Sequence, residues 1–500
     1  MNTATSTSIR IRSRERTLVH TRSFSLSPNG ITFLFGESGI GKSLLAQALY
    51  GLLDPRELDV TMGTLPYARY RRLPHVQEWM RHGFFVFQEP SSHLNPLMKL
   101  SDQLREGSLS KSTVIDQVLN YFWNGTPREQ LATVVDIYPK PFRPSGGEKQ
   151  RVLLAMAFAK IELLRHAPPQ AEGLFVFDEP TGSLDNSYRD LFLKALVAAH
   201  TLRPFTALVI THDYSIISML EKTFPRQRTI THLRELYRTS AGGVDLRTFE
   251  PREYLSWLER ARCTDETGAE VSRRPVLEMD PHFEALGRRY TICRDPGCTH
   301  PAPLRIHPAG MIYLKAPSGV GKTTLSKAVL GLLPARRLQL TLDGMALSHA
   351  TPLRVWRSRI WGRKAGMVFQ HADEALNPQS TVRESFAGLP CSMTKRELVR
   401  HLGQLFDAEA LGPILDKKIT FLSGGQKQRL NILRTLAANT PLVILDEPLN
   451  GLDFTSVKRV LALLEQKRRE GAALLMISHN EEIFDALTGA QGKRYLGYAS

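Results

Sequence analysis

The chain contains six short runs in which almost every residue is apolar. A strand that is covered on both faces of a parallel sheet has this pattern, whereas a half-exposed strand alternates apolar and polar residues. Alternation of this second kind at 8–12 predicts an opening strand. The apolar runs occupy residues 30–35, 173–177, 207–210, 311–314, 441–445 and 473–477. Helices are predicted directly after Lys42, Ser145, Lys322 and Ser423.

The second half of the chain repeats the first half, segment by segment and in the same order. The sequence GESGIGKS at 36–43 returns as APSGVGKT at 316–323. Four later pairs follow it: 87–96 with 369–378, 144–151 with 422–429, 175–180 with 443–448, and 211–213 with 478–480. The repeat predicts a duplicated α/β architecture. We expect domains at 1–223 and 280–500, with 224–279 forming the end of the first copy and a linker that contains one helix near 250–262.

Both copies place a glycine-rich loop between a strand and a helix. The backbone N–H groups of such a loop surround a phosphate at the helix N-terminus. Lys42 and Lys322 then reach the β- and γ-phosphates, and the hydroxyls of Ser43 and Thr323 bind Mg²⁺. The sequence therefore predicts two nucleotide sites. Their loop glycines are Gly36, Gly39, Gly41, Gly319 and Gly321.

A pair of acidic residues ends one apolar strand in each copy. Asp178 and Asp446 are expected to hold the hydrated Mg²⁺. The next residues, Glu179 and Glu447, are expected to orient and deprotonate the attacking water. Because neighbouring residues of a strand point to opposite sides, one carboxylate of each pair is expected to face the metal and the other the water.

Two further pairs complete the predicted chemistry. Gln88 and Gln370 are neutral groups suited to contact the metal and the water without adding charge. His212 and His479 each follow an apolar strand and are suited to donate a hydrogen bond to the γ-phosphate.

These elements, in this order, resemble the ATP-binding cassette (ABC) ATPases twice over most of the chain. The resemblance implies ATP and Mg²⁺ as cofactors and an α/β fold of two P-loop cassettes, each a mainly parallel sheet with a helical subdomain, arranged head-to-tail. In that family the signature segment of one cassette closes over the nucleotide of the other. A Ser-Gly-Gly segment that opens a helix is itself an anion site, which agrees with such crossing. The first ATP site is then completed by Ser423 and Gly425, and the second by Ser145 and Gly147.

The second site departs from the family pattern at two positions. Ala316 stands where the first loop has a glycine, and Pro144 precedes the signature serine. Alanine is costly wherever a positive φ is required, whereas proline just before a helix is tolerated. We expect both sites to hydrolyse ATP and the first to be at least as active.

The residues after Gln88 and Gln370, which the resemblance identifies as the Q-loop glutamines, indicate a subfamily. The sequence FQEPSSHLNP, which ends at Pro96, is similar to that of the ATPase subunits of oligopeptide, dipeptide and nickel importers, and 376–378 repeats its Leu-Asn-Pro. The resemblance implies two membrane permeases, a substrate-binding protein and a peripheral position at the cytoplasmic face of the inner membrane, without direct contact with the cargo. Peptide, nickel and metal-chelate cargo are equally compatible, and the motif can also be a buried turn retained by descent.

The formal charge of +16 and the pI of about 9.7 favour a polyanionic neighbour but do not identify it. An anionic membrane surface fits the importer. A soluble tandem-cassette ATPase acting on ribosomes or nucleic acid, or in a phosphonate-breakdown type complex, is the alternative. Proline and glycine residues in 224–279 interrupt the long helical linker usual in ribosome-associated cassette proteins, so we do not expect nucleic acid as a partner. No apolar stretch is long enough to cross a bilayer.

Four cysteines are too few for a disulfide framework and favour a reducing compartment. Cys293, Cys298 and His300 match no common zinc spacing. We expect the cysteines to be ordinary thiols.

Overall fold

The computed structural model describes residues 7–14, 16–108, 112–123, 135–137, 146–182, 186–239, 243–262, 274–317, 319–390 and 393–498. The chain divides into two units, Met1–Tyr254 and Leu255–Ser500. Each unit contains one large sheet with a parallel core and one small antiparallel sheet. The duplicated α/β architecture predicted from the repeat is therefore confirmed.

The large sheet of the first unit has five parallel strands and one antiparallel edge strand. Two of its central strands, Ile31–Gly36 and Leu174–Asp178, are completely buried, and Thr206–Ile210 is buried except at Thr206, because these strands are apolar on both faces. In spatial order the strands are Val244–Thr248, Thr231–Arg238, Ile31–Gly36, Thr206–Ile210, Leu174–Asp178 and Phe84–Val86. The small sheet is formed by Thr17–Phe24, Thr7–Arg12, Asp59–Met62 and Leu65–Pro66.

Helices cover the large sheet of the first unit. The longest, Gly146–His166, packs beside Phe84–Val86 and beside the two helices that precede it in the chain. An aromatic contact at 5.1 Å between the rings of Phe122 and Phe158 belongs to this packing. The helices of this unit are Lys42–Tyr50, Tyr67–Tyr70, Pro74–His82, Leu100–Ser108, Ser112–Phe122, Gly146–His166, Asn186–Leu202 and Ser215–Thr223, and the helix Pro251–Ala261 crosses the boundary at Tyr254.

The large sheet of the second unit has five parallel strands and three antiparallel ones. In spatial order the strands are Ala335–Arg336, His282–Ala285, Arg288–Cys293, Lys493–Tyr498, Met311–Lys315, Ala473–Ile477, Leu442–Asp446 and Ala365–Val368. The small sheet is formed by Leu304–Ile306, Leu277–Met279, Gln339–Leu342 and Met345–Ser348. The helices are Lys322–Val329, Leu353–Val355, the π-helix Trp356–Ile360, Lys395–Leu402, Ala408–Ile414, Gly424–Ala437, Phe454–Arg469 and Glu481–Leu487.

The segment 224–279 contributes strands to both units. Thr231–Arg238 and Val244–Thr248 belong to the large sheet of the first unit, whereas Leu277–Met279 belongs to the small sheet of the second. The helix expected near 250–262 is present as Pro251–Ala261. Among the described residues, no helix is both long and apolar enough to cross a membrane.

One expectation is wrong: Cys293 and Cys298 form a disulfide. The strand Arg288–Cys293 ends in a tight loop in which the Asp295 carboxylate accepts hydrogen bonds from the backbone N–H groups of Thr299 and His300. This loop brings the two cysteine Cα atoms to 5.1 Å, within the usual range for a disulfide. The separation of five residues along the chain does not reveal this loop geometry.

Candidate functional site

The predicted site residues of each unit gather at the carboxyl edge of the large sheet. Leu34, which precedes the first glycine-rich loop, and Asp178 both pair with Ile210, and the next residue but one after Ile210 is His212. Val86 pairs with Phe177, so Gln88 follows its strand at the same edge. Ligands of open α/β sheets bind at this edge.

The second unit repeats this register. Leu314 and Asp446 both pair with Ile477, two residues before His479. Val368 pairs with Leu445, which places Gln370 at the same edge.

The glycine-rich loops require glycine immediately before the helix. Gly41 has φ +111°, and a Cβ atom there would overlap a methyl group of Val19. Gly321 has φ +110°, and a Cβ atom there would lie 2.7 Å from Cε1 of Tyr290. Both positions therefore exclude a side chain by conformation and by space.

The loops differ at their first position. Gly36 has φ +141°, and a Cβ atom there would lie 2.6 Å from the carbonyl oxygen of Leu236. Ala316 is not one of the described non-glycine residues with a positive φ. The second loop thus accommodates alanine by an ordinary backbone conformation, so the conformational cost weighed from the sequence does not arise there.

Each loop lysine is buried and bound to its own loop. Nζ of Lys42 donates to the carbonyl oxygens of Gly36 at 2.6 Å and Glu37 at 3.1 Å. Nζ of Lys322 donates to those of Ala316 at 2.6 Å and Pro317 at 3.4 Å. The positive charge is therefore already held inside the loop that would receive a phosphate.

The aspartates at the strand ends fit a divalent cation. Asp178 and Asp446 are almost completely buried, and Oδ1 of each is buried without a hydrogen-bond partner. Burial raises the pKa of Asp178 to about 6 against the opposing effect of the Ser43 hydroxyl. Burial also raises the pKa of Asp446, with Thr323 acting in the opposite direction. A buried carboxylate beside a hydroxyl is a suitable donor set for Mg²⁺, which would supply the missing positive charge.

The glutamate of the first unit forms an ion pair with His212, which corresponds to the family's switch histidine, as His479 does in the second unit. Nδ1 of His212 lies 2.7 Å from Oε2 of Glu179. Burial alone would raise the pKa of Glu179, but the neighbouring His212 outweighs it, and the pKa is lowered. Burial alone would lower the pKa of His212, but Glu179 outweighs it, and the pKa is raised. Each partner thus stabilises the charged form of the other.

The glutamate of the second unit is held differently. Oε2 of Glu447 accepts hydrogen bonds from the Ser478 hydroxyl at 3.0 Å and from the backbone N–H of His479 at 3.1 Å. The Nε2 atom of His479 lies 3.5 Å from Oε1. Burial raises the pKa of Glu447 to about 7 against these hydrogen bonds. Sequence reasoning did not assign Ser478 a role, although a hydroxyl residue precedes the switch histidine in both copies.

Both glutamates lie outside their strands in a left-handed conformation. The strands end at Asp178 and Asp446, and the next residues have φ +50° and +49°. The two acids of each pair have different neighbours because the chain turns sharply after the aspartate. The two carboxylates of each pair therefore point to different neighbours because of the left-handed turn after the aspartate, and not because side chains alternate along a strand.

Of the two signature segments, the second is described completely. Ser423 caps the helix Gly424–Ala437: its hydroxyl accepts from the backbone N–H of Gln426, whose side chain accepts from the backbone N–H of Ser423. Gly425 lies in the first turn of this helix. Gly147 lies in the first turn of Gly146–His166, whereas Ser145 falls outside the described residues.

Comparison with known proteins gives the same duplication. A family model described as ABC transporter matches residues 19–182 and 300–450. A glutathione import ATP-binding protein, GsiA, of Escherichia coli K12 is 25% identical over 96% of this chain and 82% of its own length. An uncharacterized ABC transporter ATP-binding protein, YejF, of the same strain is 25% identical over 94% of this chain and 89% of its own length.

Solved structures that match nearly the whole chain have a similar fold. A structure described as RNase-L Inhibitor covers 98% of this chain and 89% of its own length, with a TM-score of 0.60 and 17% identity. The archaeal ribosome recycling factor aABCE1, in complex with the stalk protein aP1, gives a TM-score of 0.59 and 18% identity over 96% of this chain and 87% of its own. At these identities the likeness shows the fold alone.

Proposed function

We propose, from the premise that this chain belongs to the ABC transporter family and is an ATPase, that it powers an importer through separate membrane permeases. The observation that carries the proposal is the Leu-Asn-Pro sequence after both Q-loop glutamines, in a chain similar over nearly its whole length to glutathione import ATP-binding proteins. Of the cargo classes compatible with the sequence, this similarity favours peptides over nickel or metal chelates.

Each unit would bind one ATP with Mg²⁺. Lys42 and Lys322 would contact the phosphates, Asp178 and Asp446 with their neighbouring hydroxyls would hold the metal, and the following glutamates would activate water. The ion pair of Glu179 with His212 supports its role as a base, because it keeps that carboxylate ionised.

The Leu-Asn-Pro sequences form the same turn in both units. The Asn95 side chain accepts from the backbone N–H of Leu97 at 2.9 Å, and the Asn377 side chain accepts from that of Gln379 at 3.1 Å. The turns differ at the residue they present: Leu97 is 83% exposed, whereas Gln379 is polar. We assign Leu97 to the contact with one permease, because a leucine held in water at this exposure by a rigid turn is suited to bury its side chain against a partner.

The matched pair Leu97→Asp and Gln379→Asp tests this contact. Each variant adds one charge at the equivalent position of the turn in its own unit and leaves the phosphate loops unchanged. We expect Leu97→Asp to reduce co-purification with the permeases at least about tenfold, since it removes an apolar anchor and places a charge in a dry interface, while ATPase activity of the isolated chain stays unchanged. Equal effects of the two substitutions would contradict the assignment.

Detergent co-purification tests the function itself. A tagged chain isolated from membranes is expected to carry two polytopic subunits, and its ATPase activity is expected to rise when the cognate binding protein loaded with peptide is added to the reconstituted complex. The double variant Glu179→Gln/Glu447→Gln serves as the matched control, because it should assemble but not respond. Sedimentation of the chain with ribosomal subunits, without any polytopic partner, would refute the importer and support the ribosome-associated alternative.

A further inference from the structure

A basic surface segment in the second unit plays no part in the ATP site. Between Asp343 and Asp373 the sequence has no acidic residue. Within this stretch lies the arginine cluster, which we define as Arg354, Arg357, Arg359 and Arg363. All four are exposed. The cluster therefore concentrates positive charge where no nearby acid in sequence balances it.

None of the four guanidinium groups forms an ion pair or a hydrogen bond with any described residue. By contrast, the neighbouring Lys364 is paired with Asp343, and Lys327 and Lys427 are paired with Glu374 and Asp373. These three lysines are thus neutralised within the fold, whereas the four arginines have no counter-charge among the described residues.

The backbone beneath the cluster is firmly packed. The π-helix Trp356–Ile360 buries its first and last side chains, and the backbone N–H of Trp361 closes it on the carbonyl oxygen of Trp356 at 2.9 Å. The indole N–H of Trp361 donates to the carbonyl oxygen of Leu330 at 2.9 Å. Because Trp356 and Trp361 anchor this segment to the fold, Arg357 and Arg359, which lie between them, are held on its exposed side.

The apolar and aromatic residues near the cluster indicate whether it suits a lipid bilayer or a nucleic acid. Leu353 is 50% exposed and directly precedes Arg354. An exposed leucine beside arginines suits the boundary between headgroups and acyl chains of a bilayer. Binding of single-stranded nucleic acid relies on exposed aromatic rings for stacking, but here Trp356 is buried and Trp361 is partly buried.

We propose that the arginine cluster binds the phosphate groups of an anionic lipid bilayer, with Leu353 entering the headgroup region. The inference rests on the proposed function, which places the chain at a membrane, and it adds the residues that make direct contact with lipid. Arginine suits this partner because its planar guanidinium can donate two hydrogen bonds to one phosphate.

Vesicle sedimentation of the full chain tests the proposal without permeases. Vesicles of phosphatidylcholine are compared with vesicles that also contain phosphatidylglycerol. The test variant is Arg354→Gln/Arg357→Gln/Arg359→Gln. The matched control, Arg294→Gln/Arg336→Gln/Arg396→Gln, removes the same charge from exposed arginines of the same unit.

We expect the unsubstituted chain to bind the anionic vesicles and to be released by high salt. The test variant should bind them at least about tenfold more weakly, since each basic residue near an anionic surface contributes appreciably, and the control should change binding by less than about threefold. The single substitution Leu353→Asn should also weaken binding to the anionic vesicles. Unchanged ATPase activity of each variant in solution shows that it is folded.

Equal binding by the test variant and the control would overturn the proposal. Cluster-dependent binding to a structured RNA, without vesicle binding, would overturn it in favour of a nucleic-acid surface. If vesicle binding is absent but the chain still co-purifies with permeases, the lipid contact fails and the importer stands. If vesicle binding depends on the cluster but no permease is found, the importer fails and the lipid contact stands.

Discussion

Removal of the two switch histidines should affect the stability of the two units very differently. His212 pairs with Glu179 at 2.7 Å, with side chains 25% and 12% exposed, whereas His479 is 40% exposed and lies 3.5 Å from Glu447. Deleting one partner of a buried ion pair leaves an uncompensated charge and costs about 3–5 kcal/mol. Because His212 is partly exposed, we expect about 3 kcal/mol for His212→Ala. For His479→Ala we expect below about 1 kcal/mol, since Glu447 keeps its bonds to Ser478 and the backbone.

Hydrogen exchange of the nucleotide-free protein can report each unit separately. Amides of the core strands Thr206–Ile210 and Ala473–Ile477 exchange through large-scale opening of their own unit. A loss of about 3 kcal/mol should accelerate exchange in the first strand roughly 150-fold. The matched variant His479→Ala should accelerate exchange in the second strand by less than about fivefold.

A double-mutant cycle isolates the pair itself. The combination His212→Ala/Glu179→Gln should be less destabilised than the two single effects predict, with a coupling energy of about 1.5 kcal/mol or more. The corresponding cycle for His479 and Glu447 should give less than about 0.5 kcal/mol. Similar destabilisation of both units, or no coupling in the first cycle, would refute the reasoning from the ion pair.

Three further outcomes follow from the site. In urea unfolding, the stability lost in His212→Ala should be fully visible between about pH 4.5 and 6.5. It should decline above that window as His212, whose pKa is raised, loses its proton, and below it as Glu179, whose pKa is lowered, gains one; a difference that grows above the window would contradict this. Gly41→Ala should halve the stoichiometry of ATP binding by equilibrium dialysis, because the new methyl group would overlap Val19; undiminished binding would show that the loop adjusts. Steady-state hydrolysis should fall in both Glu179→Gln and Glu447→Gln, and full activity in the first with none in the second would reverse our ranking of the sites.

The parallel core could be predicted from the sequence because its strands are apolar on both faces. The run at 473–477 coincides with an observed strand, the run at 173–177 begins one residue before one, and the helices begin where the loop lysines and signature serines place them. Gathering of the catalytic residues at one edge then follows from parallel topology alone. Because the same motifs recur in the same order in both copies, the repeat showed which distant motifs belong to one site. A single copy could not show this.

Other features depend on local geometry that no spacing encodes. The left-handed φ of Glu179 is unusual for a charged residue, so a pattern of residue types cannot indicate it. The disulfide of Cys293 requires a loop closed by the Asp295 carboxylate. The bond from Ser478 to Glu447 depends on side-chain rotamers at the end of two strands. The π-helix Trp356–Ile360 differs from an α-helix only by its bonding pattern.

The left-handed turn at the two glutamates lowers the stability of the fold while it serves catalysis. A residue other than glycine held at such a φ costs on the order of 1 kcal/mol. If thermal robustness were the only criterion, glycine would be the preferred occupant of both positions. An acid occupies each position instead, so the protein carries this conformational cost in both units, and in return each carboxylate is directed into its site.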